Sequence, residues 1–384
     1  MPAKRQDADI RISVSAVMRH SGSGSRRPEY ELVNSASRIL GVGTAVPPTS
    51  YSQGELLDRF GITDPRVRSL FLNGGIERRN LTLPPSHADG RLTEETQRQL
   101  LDKHRTAGTE LGRNALMACL REIGATPADI RHLCCVTSTG FLTPGLAAWL
   151  VHDLPIDRHC YRLDVVGMGC NAGLNALASV TAWSRAHPGE LAMMVCVEVS
   201  SAAYLHDGTL RSAVVNSLFG DGAAAVAVMT RSDRETASSP SILGFSSMMI
   251  PEAIHAMRYD WDDRHGKLSF YLDPDIPYVI GAHAEPSVAR LLDEFALRRC
   301  DIAHWIVHSG GKKVIDSIRV NLGLTRYDLR HTTGVLCNHG NLSSGSFLFS
   351  LEQLRDEETT AAGEFGVMMT MGPGTSIEMA LIQW

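Results

Sequence analysis

The chain has 384 residues, 43% of them hydrophobic, and a formal net charge of -5. That length implies two or three domain-sized units with a sizeable core, and the slight acidic excess argues against a nucleic-acid partner. No apolar run reaches the ~18 residues of a membrane span and the N-terminus lacks the apolar stretch of a secretory signal, so a cytoplasmic protein that binds no membrane is expected. Eight cysteines are present, none in a CxxC pair, and several stand in apolar runs such as Leu133-Cys134-Cys135-Val136 and Val195-Cys196-Val197. This pattern fits buried thiols in a reducing compartment, with no disulfide framework and no metal site.

In chain order, residues 1–37 are polar and read as a partly disordered N-terminal extension. A strand over Ile39-Leu40-Gly41-Val42 ends before Pro47-Pro48, and Ser52 with Glu55 has the spacing of a helix capping box. Arg66, Arg68, Arg78 and Arg79 surround Asn73-Gly74-Gly75; they suit either phosphate recognition or a solvated basic surface. A helix is expected over Thr106–Ile123, and a buried strand follows Asp129 and stops at Gly140. Val165-Val166-Gly167-Met168-Gly169-Cys170-Asn171-Ala172-Gly173 reads as a strand end, a glycine-rich turn and a helix start. The helix dipole there would lower the Cys170 thiol pKa; a buried structural cysteine is the alternative. Leu191–Val199 is a further strand with Glu198 as its one charge, and Leu218-Phe219-Gly220-Asp221-Gly222 feeds another. The polar stretch Thr230–Pro240 divides an N-terminal half, 38–235, from a C-terminal half, 236–384.

The second half echoes the first. Asp301-Ile302-Ala303-His304 repeats Asp129-Ile130-Arg131-His132 at an offset of 301 − 129 = 172. Gly340-Asn341-Leu342-Ser343 stands where Gly169-Cys170-Asn171-Ala172 stood, at an offset of 341 − 170 = 171. Two nearly equal offsets argue for an internal duplication, each copy an α/β layer unit. Packed face to face, the copies would bring Cys170 and Asn341 to equivalent places, with His308 at a nearby strand end before Ser309-Gly310-Gly311. A Cys beside a His can form a thiolate–imidazolium pair that accepts an acyl group. Amide and imidazole N–H groups can hold an enolate or oxyanion. Each of the three residues also has an ordinary structural reading, a packed thiol, a core imidazole or a turn amide.

Five segments carry a family resemblance: the Gly-Cys-Asn-Ala-Gly turn at Cys170, Leu218–Ala225, Trp305–Gly311, Gly340–Ser344 and Gly372-Pro373-Gly374-Thr375. In order and spacing they resemble the type III polyketide synthases, the chalcone-synthase-like branch of the thiolase fold, from about residue 38 to the C-terminus. The resemblance implies a homodimer of duplicated, five-layered αβαβα subunits. It implies that Cys170 loads an acyl group from coenzyme A and that His308 and Asn341 stabilise the enolate left when malonyl-CoA loses CO2. It assigns Phe219 to orienting the malonyl group and Ser343, Ser200, Gly372, Pro373 and Gly374 to the cavity wall. Thr143 matches a residue that the partner subunit inserts into that wall. No cofactor is implied beyond the CoA thioesters themselves.

The chain also departs from the plant enzymes of that family. Ser309 replaces the proline after the histidine, Ser200 and Ala203 replace two cavity threonines, and Ser69 and Asn73 stand where CoA-binding basic residues are expected. Arg66, Lys312 and Lys313 are the substitutes expected to meet CoA. Gly75–Pro85 and Gly167–Leu177 are similar to the bacterial branch that makes 3,5-dihydroxyphenylacetyl-CoA for antibiotic synthesis. This resemblance implies four malonyl-CoA units, carbon–carbon ring closure, and release helped by enoyl-CoA-hydratase-like proteins. The competing readings are a pyrone or alkylresorcinol synthase with an acyl-CoA starter, a single-condensation ketoacyl-ACP synthase, a hydroxymethylglutaryl-CoA synthase and a non-catalytic CoA-thioester binder. Met371-Gly372-Pro373-Gly374 argues against the second, and the third lacks its catalytic glutamate.

Overall fold

A computed structural model describes residues 36–87, 92–231 and 239–384. The N-terminal extension therefore lies outside the described residues, except that Ala36 and Ser37 already belong to a strand. The expected boundary between the halves, at 235–236, also falls outside them.

Strand β1 (Ala36–Ala45) opens the fold, and β2 (Ser50–Ser52) leads into α1 (Gln53–Arg59). The Ser52–Glu55 capping box is present: each residue's side chain accepts the other's backbone N–H. Helix α2 (Pro65–Leu72) precedes β3 (Arg78–Asn80), and α3 (Gln97–Glu122) follows. The α3 helix starts nine residues before the expected Thr106 (106 − 97 = 9). A second capping box explains this, with Thr96 accepting from Gln99 N–H and Gln99 from Thr96 N–H. Then come β4 (Ile130–Thr137), α4 (Leu146–Asp153), β5 (Tyr161–Val166), α5 (Ala172–Ala186), β6 (Leu191–Val199), α6 (Leu210–Leu218) and β7 (Asp221–Arg231). The C-terminal half runs through β8 (Ser241–Met249), the hairpin β9 (Met257–Asp262) and β10 (Lys267–Leu272), α7 (Ile276–Asp293), β11 (Ile302–Val307) and α8 (Lys312–Asn321). It ends with α9 (Arg330–His339), α10 (Ser346–Asp356), β12 (Phe365–Gly372) and β13 (Ser376–Gln383).

The large sheet has the order β11-β12-β13-β8-β1-β7-β6-β4-β5. Its two parts repeat one pattern. In each, the first strand adjoins an antiparallel neighbour, which pairs antiparallel with a third strand that runs parallel to a fourth: β1, β7, β6, β4 and β8, β13, β12, β11. The seam between them is one residue pair, Arg38 with Ser241. The local echo is real too: Asp129 accepts the N–H of Thr126, and Asp301 that of Arg298, both at 2.8 Å.

Layering follows from which side each strand residue faces. Successive strand side chains point to opposite faces, so Cys134 joins the central core and Cys135 an outer one. In the centre, Leu177 of α5 and Phe347 and Leu351 of α10 pack with Met194 and Val226 from one part of the sheet and Met368 and Ala380 from the other. Leu116 and Leu150 of α3 and α4 cover one outer face, and Ile280 and Ile318 of α7 and α8 cover the other. The result is the five-layered α–β–α–β–α order expected from the sequence. Strands covered on both faces are apolar nearly throughout, which is why the Leu191–Val199 run, with Glu198 its one exception, matches β6 residue for residue. Each fully buried leucine contributes about 1.5–3 kcal/mol. The two central helices meet closely at Gly173, where a Cβ would lie 2.2 Å from the Ser344 carbonyl oxygen.

One expectation needs correcting. Helices α5 and α10 are each preceded by a single-turn 3-10 helix, Gly169–Asn171 and Ser343–Gly345. Aligning these turns gives an offset of 343 − 169 = 174, which pairs Cys170 with Ser344 rather than Asn341. The intervening loops differ in length, so Asn341 enters the same region three residues earlier.

Candidate active site

Cys170 sits where β5 has ended and α5 has yet to begin. The turn needs positive φ at Gly167 (87°) and Gly169 (72°). A Cβ on Gly169 would lie 2.3 Å from Pro373, and one on Gly372 would lie 2.4 Å from Asn171 Oδ1. The Gly-Pro-Gly loop therefore closes directly against the cysteine turn. Ser343 Oγ donates to Cys170 Sγ at 3.5 Å.

The electrostatics differ from the sequence expectation. Burial pushes the Cys170 thiol up to about 12, only partly opposed by the Ser343 hydroxyl. Burial likewise lowers His308 to about 3. At neutral pH each group alone is uncharged. Desolvation outweighs the helix-terminus effect, so a charged pair depends on proton transfer from one group to the other.

A hydrogen-bonded chain runs away from the sulfur. Ser343 Oγ lies 2.8 Å from Ser138 Oγ, and Ser138 donates to Glu198 through its hydroxyl at 2.9 Å and its backbone N–H at 3.0 Å. Ser344 donates to Glu198 through its N–H and its hydroxyl. The carboxyl is wholly buried, and burial raises its pKa against these four donors. The odd charge in β6 was the sequence signal for this chain. Its serine partners come from other elements and gave none.

His308 and Asn341 are each 2% exposed. Ser346 Oγ holds His308 Nδ1. Among the described residues, Nε2 has no hydrogen-bond partner, so it can accept a proton or, once protonated, donate. Asn341 Oδ1 accepts the Ser343 N–H at 2.8 Å, and among the described residues its Nδ2 has no hydrogen-bond partner. Its backbone brackets Phe219: Asn341 N–H donates to Leu218 and Gly220 N–H to Asn341, at 2.9 and 3.0 Å. Fully buried Arg79 and the Tyr204 hydroxyl both donate to the Phe219 carbonyl.

A cavity of about 460 Å³ opens over the cysteine. Cys170, Ser200, Phe219, Ser343, Pro373 and Gly374 all belong to its wall. His308 and Asn341 do not form part of that wall; Asn341 is tied to it through Ser343, and the Ser346 that holds His308 lies outside the wall as well. Gly372 packs against Asn171 instead of lining the cavity. Thr143 is exposed and lies outside its own chain's cavity wall. Arg66, Lys312 and Lys313 are exposed, and Lys312 pairs with Asp316 at 2.6 Å. Sequence reasoning missed Ser138, Ser346 and the β9–β10 hairpin, which brings Met257, Tyr259 and Phe270 to the wall.

Comparison with known proteins bears on this site. The family model described as chalcone and stilbene synthases matches twice, its N-terminal domain over residues 87–232 and its C-terminal domain over residues 246–384. The chain is 64% identical over 350 residues to a 3,5-dihydroxyphenylacetyl-CoA synthase of Streptomyces toyocaensis, covering 90% of each chain. It is 61% identical to one of Amycolatopsis orientalis, covering 91% of this chain and 94% of the relative. The solved structure of 1,3,6,8-tetrahydroxynaphthalene synthase from Streptomyces coelicolor, a bacterial type III polyketide synthase, superposes with a TM-score of 0.81 at 25% identity, over 90% of this chain and 99% of that one. With both family domains matched and its curated relatives similar along nearly their whole length, the chain belongs to the chalcone and stilbene synthases, the type III polyketide synthases of the five-layered thiolase fold.

Proposed function

We propose that this enzyme converts four malonyl-CoA into 3,5-dihydroxyphenylacetyl-CoA, three CoA, four CO2 and one water, drawing on no group beyond the CoA thioesters. The observation that carries the reading is the position of Cys170, alone of the eight cysteines in the wall of the 460 Å³ cavity. The identity of the relatives supports the product. The volume falls within the ordinary ~300–1,000 Å³ of small-molecule sites.

Cys170 passes its proton to His308 Nε2, and the sulfur attacks the thioester carbonyl carbon. CoA leaves with that proton. A second malonyl-CoA loses CO2, and the electron pair spreads onto its thioester oxygen. Asn341 Nδ2–H and His308 Nε2–H donate to this enolate, whose carbon then attacks the acyl group on Cys170. Phe219 presents an apolar face to the carboxylate and so favours its loss as uncharged CO2. Arg66, Lys312 and Lys313 supply exposed cations for the CoA phosphates. The test is malonyl-CoA alone, with released CO2, free CoA and product mass measured. A dihydroxyphenylacetyl thioester is expected; turnover that required a long acyl-CoA starter would assign the pyrone or alkylresorcinol reading instead.

Two copies complete the site in this reading, and the protein works in the cytoplasm. Edge strand β5 exposes Tyr161, Leu163 and Val166, and nearby Phe141 is 69% exposed while also lining the cavity. A second copy set against this edge covers that apolar surface, and its Thr143 closes the wall. Light scattering should give about twice 41.8 kDa, and Leu163→Asp should shift the mass to one chain and reduce turnover. A monomeric wild type would refute the arrangement.

A further inference from the structure

Four aromatic side chains line the cavity: Phe141, Phe219, Tyr259 and Phe270. Of these, Tyr259 alone ends in a hydrogen-bond donor. It sits on β9 directly opposite Phe270 of β10, their ring centroids 5.0 Å apart at 57°. Phe270 in turn stands edge-on to Phe219 at 5.9 Å and 90°. The three rings form a continuous aromatic arc across the cavity. The hairpin that carries two of them is clamped: Asp260 meets Arg211 at 2.7 Å and Arg258 at 2.9 Å, and Leu268 N–H donates to Gln97 of α3 at 3.0 Å.

The Tyr259 hydroxyl donates to the Ser138 carbonyl at 3.3 Å. That is a long bond for an O–H donor, one that a better-placed acceptor can displace. Ser138 also meets Glu198 and Ser343 through its hydroxyl, and Ser343 meets Cys170, so the phenol stands beside the chain that leads to the sulfur. The side chain is 40% exposed, and a phenol with an ordinary pKa of about 10 stays protonated and donating at neutral pH. Ser200 Oγ, in the same wall, is buried and without a protein partner among the described residues. The cavity thus offers hydroxyl donors to an oxygen-rich chain inside an otherwise apolar surface.

We propose that Tyr259 is a catalytic residue for ring closure, donating to the ketone oxygen that the chain's far end attacks. The inference rests on the malonyl-only reading given above. Before closure the chain keeps the starter malonyl carboxylate on C8, and its ketones stand at C3, C5 and C7. Loss of CO2 from the terminal carboxylate leaves an electron pair on C8. That pair forms the C8–C3 bond while the C3–oxygen π pair moves onto oxygen. The oxygen takes the Tyr259 proton, which water then replaces. It leaves as water with a proton from C4, and the C5 and C7 ketones tautomerise to ring hydroxyls. Phenylalanine at the same position keeps the aromatic arc and removes only the donor.

The test gives malonyl-CoA to the full-length enzyme and measures ring-closed product per CO2 released. Tyr259→Phe should lower that ratio by about 10²-fold or more, the scale of losing one oxyanion donor, with lactones of the unclosed chain appearing instead. Tyr278→Phe, on the exposed face of α7, should keep the wild-type ratio. A Tyr259→Phe enzyme with an unchanged ratio overturns the proposal, and so does one whose CO2 release falls in step with its product. A wild type that releases no CO2 from malonyl-CoA overturns the malonyl-only reading itself, and this inference with it.

Discussion

Cys170→Ala should abolish acyl loading, with no mass increase of the intact protein after a malonyl-CoA pulse and turnover down by at least about 10³-fold. Alanine fills most of the same space, so the chain should still fold. Cys300→Ala, at the exposed cysteine, should load normally. A Cys170→Ala protein that still gained the acyl mass would place the nucleophile elsewhere. The same experiment carries a pH argument. A lone thiol pushed up to about 12 would hold roughly 10³-fold less thiolate at pH 7 than one near its ordinary value of about 9. Its alkylation would rise about tenfold per pH unit. In the proposed mechanism proton transfer to His308 would remove that dependence, because two opposite charges formed close together attract strongly in a dry site. Iodoacetamide inactivation of the wild type should therefore be fast and nearly flat around neutral pH. In His308→Ala it should be slow and climb steeply with pH.

Much of this architecture could be read from local pattern. Leu191–Val199 announced β6 because a strand covered on both faces shows a near-continuous apolar run, broken here only by Glu198. The start of α3 was missed because Gln97-Arg98-Gln99 has no apolar period, although Thr96 and Gln99 carried the cap. Cys170, Phe219, Ser343, Pro373 and Gly374 stand in compact glycine-rich motifs, and the fold brings those motifs to one cavity. What stayed hidden depends on tertiary placement. The Cys170 thiol is raised by burial that no neighbour in sequence reveals. Glu198 meets Ser138 across 60 residues and Ser344 across 146. Tyr259 enters the cavity only because a two-stranded hairpin folds over it. The duplication was legible, but its register was not, since loops of unequal length separate Asn341 from the position equivalent to Cys170.

Asn341→Ala should separate two steps that Cys170→Ala removes together. Loading needs a nucleophile and a proton acceptor, and in the proposed mechanism neither is Asn341, so the acyl-enzyme mass should still appear after a malonyl-CoA pulse. Decarboxylation places negative charge on an oxygen that Asn341 Nδ2–H is free to receive. Losing one such donor typically costs about 10²–10³-fold, and CO2 release should fall by that amount. Truncation also removes the Oδ1 acceptor for the Ser343 N–H, which could disturb the cavity wall beside Cys170. Asn341→Gln distinguishes the two effects, because it keeps an amide but moves it by one methylene. If placement of the donor is what matters, Gln should release CO2 nearly as slowly as Ala while loading normally. If either variant failed to load, Asn341 would instead be supporting the nucleophile turn, and enolate stabilisation would fall to His308 alone.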